Sequence, residues 1–367
     1  MSRFARQRRV YFFEEPQFEA ATKGWLQVSI CSQTDVHICT PVLPIGLSPA
    51  EIVQEQQSLL RTLLQEQFVT SFIAWYYTPM AREFSHEFAP DLVIYDCMDE
   101  LSEFAGAPPA MKYNEAELLR VASLVFTGGA SLYEAKRRQH TSVHAFPSSV
   151  DAVHFRTARN EQNAPEDQVE IPHPRIGYAG VIDERMDVSL LQAISEAKPD
   201  WHFILLGPVV KIESDSLPRA KNLHYLGMKS YSLLPTYLSG WDLAMLPFAL
   251  NNSTRFISPT KTPEYLAAGL PVISTPIRDV VSPYGELGFV AIAANAAEFI
   301  KEAELLLENR DNKENNRRVD AWLAQTSWDD TWHKMNMLIE KTMASRGRPP
   351  LKDAQLSTKY TNGLAHV

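Results

Sequence analysis

The sequence predicts an α/β protein built of two Rossmann-like domains that face each other across a cleft. Apolar strand patterns alternate with helical periodicity along nearly the whole chain of 367 residues. A composition with 45% apolar residues is sufficient to fill two cores. The polar segment 157–174 contains prolines and has no apolar period, which is typical of a hinge between two domains.

The first half of the chain carries period-2 apolar runs separated by helical segments. Strands are predicted at 10–13, 36–39, 72–77, 92–96, 124–127 and 143–146. Helices are predicted at 50–67, 112–122 and 131–139. Because the intervening segments are long enough for crossover helices, we expect mostly parallel sheets.

The second half repeats this alternation more regularly. Strands are predicted at 175–179, 202–206, 223–226, 243–247, 272–275 and 289–292. The predicted organisation is a first Rossmann-like domain at 1–160, a second at 170–326, a crossing helix at 327–345 that returns to the first domain, and a disordered tail at 346–367.

Charge and cysteine content narrow the class of protein. A net charge of -9 excludes an ordinary nucleic-acid binder. Three cysteines without paired spacing and ten scattered histidines predict reduced thiols, no metal site and no cofactor. No apolar run approaches the roughly 18 residues of a membrane span. We therefore expect a cytoplasmic protein.

Two basic clusters leave two interpretations open. Arg3, Arg6, Arg8 and Arg9 crowd the start of the chain, and a second cluster covers 136–138. They are either solvated helix faces, which we favour, or points of peripheral contact with an anionic membrane. The second interpretation places the protein at the inner face of a membrane.

The segment 258–275 carries the clearest chemistry. Thr260 or Thr262 can cap a short helix that Gly269 ends, and its free N–H groups attract phosphate. Lys261 adds a full positive charge beside these donors, and Glu264 can accept hydrogen bonds from a vicinal diol such as that of ribose. The alternative is an ordinary capped helix in which Glu264 only complements the helix dipole.

These segments resemble the nucleotide-sugar glycosyltransferases of the GT-B fold, and within them the family 4-like group, also called glycosyl transferases group 1. Within this group, the chain is similar to teichuronic-acid and capsular polysaccharide transferases. The resemblance covers nearly the whole chain after the first strand and is strongest at 261–272. It implies that 1–160 is the acceptor-side domain and that 170–326 is the nucleotide-sugar-binding domain. Supporting motifs lie in order at 95–100, 126–131, 146–151, 175–180, 201–207, 225–227 and 241–247.

The resemblance implies transfer of a sugar from a nucleoside-diphosphate sugar to the hydroxyl of a glycan or lipid-linked acceptor, without a metal, in the synthesis of cell-envelope or capsular polysaccharide. The catalytic residues that it implies are Asp99, Arg185 and Lys261. The donor-binding residues that it implies are Gly180, Arg185, Gly227, Met228, Asn251, Ser258, Thr260, Lys261 and Glu264.

Two of these residues also have a purely structural interpretation. Arg185 has nearby carboxylates at Asp183 and Asp187 with which it can pair instead of binding phosphate. Asp99 and its neighbours Asp96 and Glu100 follow a strand, where carboxylates commonly cap the next loop.

The chain departs from the family pattern at two places. Many relatives have a glutamate eight positions before Glu264, where this chain has Phe256. Relatives also open with a strand and a loop before their first helix, whereas here a helix at 1–7 comes first, so we expect the native start to lie upstream of Met1. The alternative functions are a nucleotide-sugar epimerase on the same fold and an inactive, truncated binding protein.

Overall fold

The computed structural model describes residues 1–160, 163–310 and 313–347. The chain divides into two compact units, the first made of Met1–Trp75, Met80–Val93 and Trp332–Val367, the second of Tyr76–Pro79 and Ile94–Thr331. The domain bounds expected at 160 and 170 do not coincide with these units and stay a prediction. Apart from Arg346 and Gly347, the tail predicted at 346–367 lies outside the described residues.

The described strands and helices alternate along the chain. The strands are β1 (Tyr11–Phe13), β2 (Gln17–Glu19), β3 (Trp25–Ile30), β4 (His37–Pro44), β5 (Ile73–Tyr76), β6 (Leu92–Cys97), β7 (Leu124–Thr127), β8 (Val143–Ala145), β9 (Arg175–Ala179), β10 (His202–Leu206), β11 (Leu223–Gly227), β12 (Leu243–Leu246), β13 (Val272–Ser274) and β14 (Ala291–Ile292).

The α-helices include several of one or two turns. They are α1 (Ser2–Ala5), α2 (Pro49–Glu66), α3 (Arg82–Ser85), α4 (Met111–Val121), α5 (Ala130–Lys136), α6 (Ala152–Arg156), α7 (Glu166–Val169), α8 (Val188–Ala197), α9 (Leu234–Leu238), α10 (Lys261–Ala267), α11 (Arg278–Val280), α12 (Ala296–Glu308), α13 (Lys313–Leu323) and α14 (Trp328–Ser345).

The six strands predicted in the second half form one parallel sheet. Its strand order is β11-β10-β9-β12-β13-β14, with every recorded pairing parallel. This is the doubly wound order, in which the chain moves outward from β9 on one side and then from β12 on the other. The carboxyl ends of β9 and β12 are therefore the point where strand order reverses and where such sheets bind ligands.

Apolar clusters cover both faces of this sheet. One contains Leu191 of α8, Phe299 of α12 and Phe203 of β10. The other contains Leu238 of α9, Tyr265 of α10 and other residues, among them Ile204 of β10. Because successive strand residues point to opposite faces, the continuous apolar runs of β10 and β12 supply both clusters.

The sheet nearest the start of the chain is mixed, which the sequence did not predict. Strand β4 pairs in parallel with β1 through His37 and with β2 through Val42, and antiparallel with β3 along its opposite edge. Most residues of β3 are exposed, so its sequence carries little of the buried-strand pattern. The other four strands of the first half form a sheet in the order β5-β6-β7-β8.

The predicted crossing helix is α14. From Trp332 onward its residues belong to the first unit. Trp332 packs edge-on against Phe4 at a ring-centroid distance of 6.1 Å, and Arg8 binds both Asn336 and Glu340. The return of the C-terminal helix to the first part of the chain is thus confirmed.

Candidate functional site

The loops after β9 and β12 are joined at the strand ends where the order of the large sheet reverses. The Asp187 amide donates to the Pro247 carbonyl at 2.8 Å, and the Ala249 amide donates to the Arg185 carbonyl at 2.8 Å. Met186 and Phe248 form an additional bridge between the two loops. These bonds hold the backbone that carries Arg185 in one conformation.

Lys261 lies directly against Gly180 at this edge. A Cβ added to Gly180 would lie 2.0 Å from Lys261 Cε and 2.9 Å from the Tyr178 hydroxyl oxygen. The lysine Nζ is also 5.9 Å from the centroid of the Tyr178 ring. Glycine at position 180 therefore leaves room for the lysine side chain. The close approach of a diphosphate to Gly180 stays a prediction.

Tyr265 fixes helix α10 to the end of β9. Its hydroxyl accepts a hydrogen bond from the Ala179 amide at 2.7 Å, and its ring packs edge-on against Trp241. The side chain is almost completely buried. Because Tyr265 follows Glu264, this anchor also sets the position of the predicted ribose-binding carboxylate.

The helix begins and ends close to the predicted residues but without the predicted cap. Thr260 stands at the N-cap position and its side chain makes no capping hydrogen bond, while Thr262 lies inside the helix with its hydroxyl buried. Side-chain capping by either threonine is therefore wrong. Gly269 ends the helix with a φ of 83°, as predicted, since glycine tolerates this conformation best.

Arg185 forms a two-point ion pair with Asp183. Its Nε lies 3.0 Å from Asp183 Oδ1, and its Nη2 lies 2.6 Å from Oδ2. Hydrogen bonding to Asp183 raises the pKa of Arg185. Asp187 instead caps α8 by accepting from the Leu190 amide. The pair named as the alternative to phosphate binding is thus present, and the phosphate role stays a prediction.

Lys261 and Glu264 carry charges that the described part of the chain leaves without a hydrogen bond or ion pair. Burial lowers the pKa of Lys261, and Glu264 partly offsets this. Burial raises the pKa of Glu264 to about 7, with Lys261 acting in the opposite direction. Both groups are thus desolvated and keep their hydrogen-bonding capacity for a ligand.

The carboxylates after β6 have different environments. Burial raises the pKa of Asp99, whereas the charges of Arg185 and Lys261 lower it, so Asp99 lies within electrostatic reach of both cations. Glu100 is bound to Lys136, with 2.8 Å between Glu100 Oε2 and Lys136 Nζ. Asp96 is buried. Asp99 is thus linked electrostatically to both predicted donor-binding cations.

The remaining predicted residues lie on loops near the same strand ends. Gly227 ends β11 with a φ of 70°, and Met228 is exposed beside it. Ser258 lies next to Gly129, where an added Cβ would come within 2.7 Å of the serine Cβ. Asn251 accepts from Ser253 in its own loop and donates to the Glu184 carbonyl in the loop after β9, so both ends of its amide are occupied.

Sequence reasoning missed the residues that hold the site together. Tyr178 lies beneath Lys261, and Tyr265 anchors α10. Both are aromatic residues in apolar runs, a pattern that indicates only burial. A buried hydroxyl needs a partner, and that of Tyr265 is Ala179, which is distant in the chain, whereas the Tyr178 hydroxyl donates to the nearby Val181 carbonyl.

Among the described residues, no group of three or more His, Cys, Asp or Glu side chains is arranged to hold a metal ion. No helix there has the length and apolar character needed to cross a bilayer.

Residues 173–309 match the family model described as "Glycosyl transferases group 1". A curated relative, "Putative teichuronic acid biosynthesis glycosyltransferase TuaH" of Bacillus subtilis (strain 168), is 26% identical over 221 residues. That match covers 55% of this chain and 54% of the relative, so the chain spans about half the length of the curated relative that it matches.

Solved structures share the architecture over most of the chain. A sucrose-phosphate synthase from Thermosynechococcus elongatus has a TM-score of 0.68 at 14% identity and covers 94% of this chain and 91% of its own. HepE of Anabaena in complex with UDP and glucose has a TM-score of 0.60 at 15% identity, covering 85% of this chain and 87% of its own. A UDP-forming α,α-trehalose-phosphate synthase from Burkholderia xenovorans has a TM-score of 0.63 at 12% identity, covering 89% and 93%.

These likenesses confirm the predicted fold class, α/β of the GT-B type, and the resemblance to glycosyl transferases group 1 and to a teichuronic-acid transferase. The matched segment 173–309 contains Gly180, Arg185, Lys261 and Glu264. Asp99 lies outside it.

Proposed function

We propose that this protein is a glycosyltransferase that moves a sugar from a nucleoside-diphosphate sugar to an acceptor hydroxyl. The observation that supports this most directly is the placement of Lys261 beside Gly180, with Glu264 on the same short helix, at the strand end where doubly wound sheets bind nucleotides. Both charged groups are desolvated and without an ion-pair partner among the described residues. They are suited to a ligand that combines negative charge with a diol.

In this proposal the chain's cations stabilise the departing diphosphate. Lys261 contacts the phosphate as a point charge, and Arg185 adds the N–H groups that its pair with Asp183 leaves available. Fixed positive charge at a leaving group in a desolvated site contributes several kcal/mol to catalysis, typically about 3 to 4 for one donor. Because these residues provide that charge, we propose that transfer does not require a metal.

Glu264 and Asp99 have separate roles in the proposed reaction. The Glu264 carboxylate accepts hydrogen bonds from the two ribose hydroxyls, which fixes the nucleoside. Asp99 orients the acceptor hydroxyl and takes its proton, since its raised pKa and its proximity to the two cations suit a general base near the reacting centre.

We extend the proposal to the synthesis of a cell-envelope glycan on a lipid-linked or glycan acceptor. The named role of the Bacillus relative supports this extension. The UDP held by the Anabaena structure makes a uridine nucleotide the first donor to test.

The test is a panel of UDP, GDP and ADP sugars, with binding measured by calorimetry and turnover measured as release of the nucleoside diphosphate. We expect one nucleotide class to bind, and Lys261→Ala to weaken it by at least about tenfold, or 1.4 kcal/mol. Lys301→Ala, an exposed lysine on α12, is the matched control. Equal affinity in Lys261→Ala and the control would overturn the donor-site assignment.

The same assay separates the alternative functions. Nucleotide binding with release of an epimerised free sugar would favour an epimerase. Binding without turnover over a broad acceptor panel would favour an inactive binding protein. Release of nucleoside diphosphate only in the presence of an acceptor would support transfer.

A further inference from the structure

A polar cavity of about 680 Å³ lies within the second unit. Some of the residues that line it are close in sequence to residues of the candidate donor site. Its wall is formed by residues after β6, by α4 and α5, and by the segment that contains Arg255 and Phe256. Glu100, which lines it, directly follows Asp99. A cavity of this volume falls within the range of small-molecule sites, about 300–1,000 Å³.

A buried lysine holds two carboxylates on one side of the cavity. Lys136 has only 1% of its side chain exposed, and its Nζ lies 2.8 Å from Glu100 Oε2 and 2.7 Å from Glu115 Oε1. The Tyr95 hydroxyl also donates to Glu115 Oε1 at 2.7 Å. The group of Lys136, Glu100 and Glu115 therefore carries one net negative charge when all three are ionised.

These carboxylates keep acceptor capacity that the described protein does not use. An ionised carboxylate offers about four lone-pair sites. Both hydrogen bonds that Glu115 receives from the described residues fall on Oε1, which leaves Oε2 for a ligand. A buried arrangement of this kind is costly compared with apolar packing, so its presence at a cavity wall indicates a role in binding.

The other side of the cavity offers a cation and an aromatic face. The guanidinium of Arg255 lies 5.1 Å from the centroid of the Phe256 ring. Arg255 has no ion-pair partner in the part of the chain that is described, so its N–H groups remain donors for a ligand. The cavity wall thus offers groups that accept hydrogen bonds from hydroxyls, groups that donate hydrogen bonds to hydroxyls, and an apolar ring face. These features are complementary to the hydroxyls and the C–H face of a sugar ring.

We infer that this cavity binds an uncharged sugar ring of the acceptor. The ring's hydroxyls donate to Glu100 and Glu115 and accept from Arg255, and its C–H face packs on Phe256. The cavity lining has three carboxylates and three cations, so it has no net positive charge to compensate for the desolvation of a phosphate or carboxylate group, which disfavours anionic sugars. The inference rests on the proposed transferase function, because Glu100 directly follows Asp99, the proposed base, in the sequence.

The test uses the whole chain without donor, so that it does not depend on turnover. The probes are a methyl hexoside, a methyl N-acetylhexosaminide, a methyl hexuronide and a hexose 6-phosphate, with binding followed by saturation-transfer NMR and titration. We expect the two uncharged glycosides to bind and the two anionic sugars to bind at least about tenfold more weakly, or 1.4 kcal/mol.

Three variants locate the binding. Phe256→Ala removes the aromatic face, Arg255→Ala removes the free cation, and Glu115→Gln removes one carboxylate; each should weaken the uncharged glycosides by about tenfold. Glu117→Gln, on the same helix as Glu115 but outside the cavity lining, is the control. Nucleotide affinity should change less than about twofold in Phe256→Ala.

Several results would overturn the inference: no binding of uncharged glycosides, tighter binding of the anionic sugars, or unchanged affinity in Phe256→Ala. The last decides the matter even if Glu115→Gln fails to fold, because Phe256 is partly exposed and outside the charged group. Failure of nucleotide binding with intact glycoside binding would instead count against the proposed function alone.

Discussion

Arg185 and Asp183 form an ion pair in which the guanidinium uses Nε and Nη2, with Nη2 2.6 Å from Asp183 Oδ2. The Phe104 ring covers the guanidinium at 5.4 Å. A guanidinium has five N–H donors, so this pairing leaves the Nη1 group free of Asp183. The pair therefore fixes the orientation of Arg185 but does not use all of its N–H donors. This is compatible with contact to a phosphate.

Replacing Arg185 or Asp183 should affect catalysis to different extents. We expect Arg185→Ala to reduce kcat/KM for the donor by about 100-fold, as for loss of one charge-stabilising donor group. Asp183→Asn keeps the guanidinium but loosens it, and should cost about tenfold. Steady-state nucleotide release measures both.

The exposed pair of Arg219 and Asp215 supplies the matched control, Arg219→Ala, which should behave as the unaltered protein. A kcat/KM unaffected by Arg185→Ala would remove this arginine from the site.

Donor affinity should depend on pH through Glu264. Its pKa is about 7, and the proposed ribose contact needs the ionised carboxylate. Below pH 7 binding must first remove a proton, so affinity should fall by about tenfold per pH unit and level off above pH 7 to 8. Calorimetry from about pH 5.5 to about pH 8.5, a range that brackets this pKa, measures the dependence.

Glu264→Gln should abolish that dependence while weakening binding above pH 7. A pH profile that is the same in Glu264→Gln and in the unaltered protein would contradict the ribose assignment.

The same carboxyl should make the folded protein less stable as pH rises. Its pKa is raised from 4.5 to about 7 on folding, so between these values the folded state holds a proton that the unfolded state has lost. The free energy of unfolding therefore falls across this window. Above pH 7 we expect Glu264→Gln to be more stable than the unaltered protein by an amount on the order of 1 kcal/mol, after solvent screening.

Urea unfolding at about pH 4.5 and pH 8 measures this difference, which should vanish at the lower pH. Glu308→Gln, an exposed carboxylate on α12, is the comparison and should show no pH-dependent gain.

Gly180→Ala should displace Lys261. The new Cβ would lie 2.0 Å from Lys261 Cε, so the lysine side chain must move or the backbone must shift. We expect a loss of about 1–3 kcal/mol of stability together with weaker donor binding. In the Lys261→Ala background most of this stability cost should disappear, because the lysine atoms that clash most closely are gone and only the contact with the Tyr178 hydroxyl at 2.9 Å remains.

Thermal or urea unfolding of the two single variants and the double variant gives the coupling energy. Additive stability changes would show that Lys261 does not occupy the space beside Gly180.

Local sequence signals predicted much of the fold. All six strands of the second half appear where the apolar runs predicted them, because a continuous apolar run is a property of each segment alone. The edge strand β3 was missed, since most of it is exposed and its antiparallel pairing depends on β4. The predicted threonine cap was wrong because the N-cap residue has helical backbone angles, which direct its side chain away from the first turn.

The sequence by itself determined the strand and helix order, the segment with Lys261 and Glu264, and the glycine that ends their helix. Only the tertiary structure decided that Arg185 pairs with Asp183, that Lys261 packs on Gly180, and that Lys136 joins Glu100 and Glu115 at a cavity. The physical reason is that a charge leaves water only beside compensating groups, and those groups come together through folding from segments that local periodicity treats as independent.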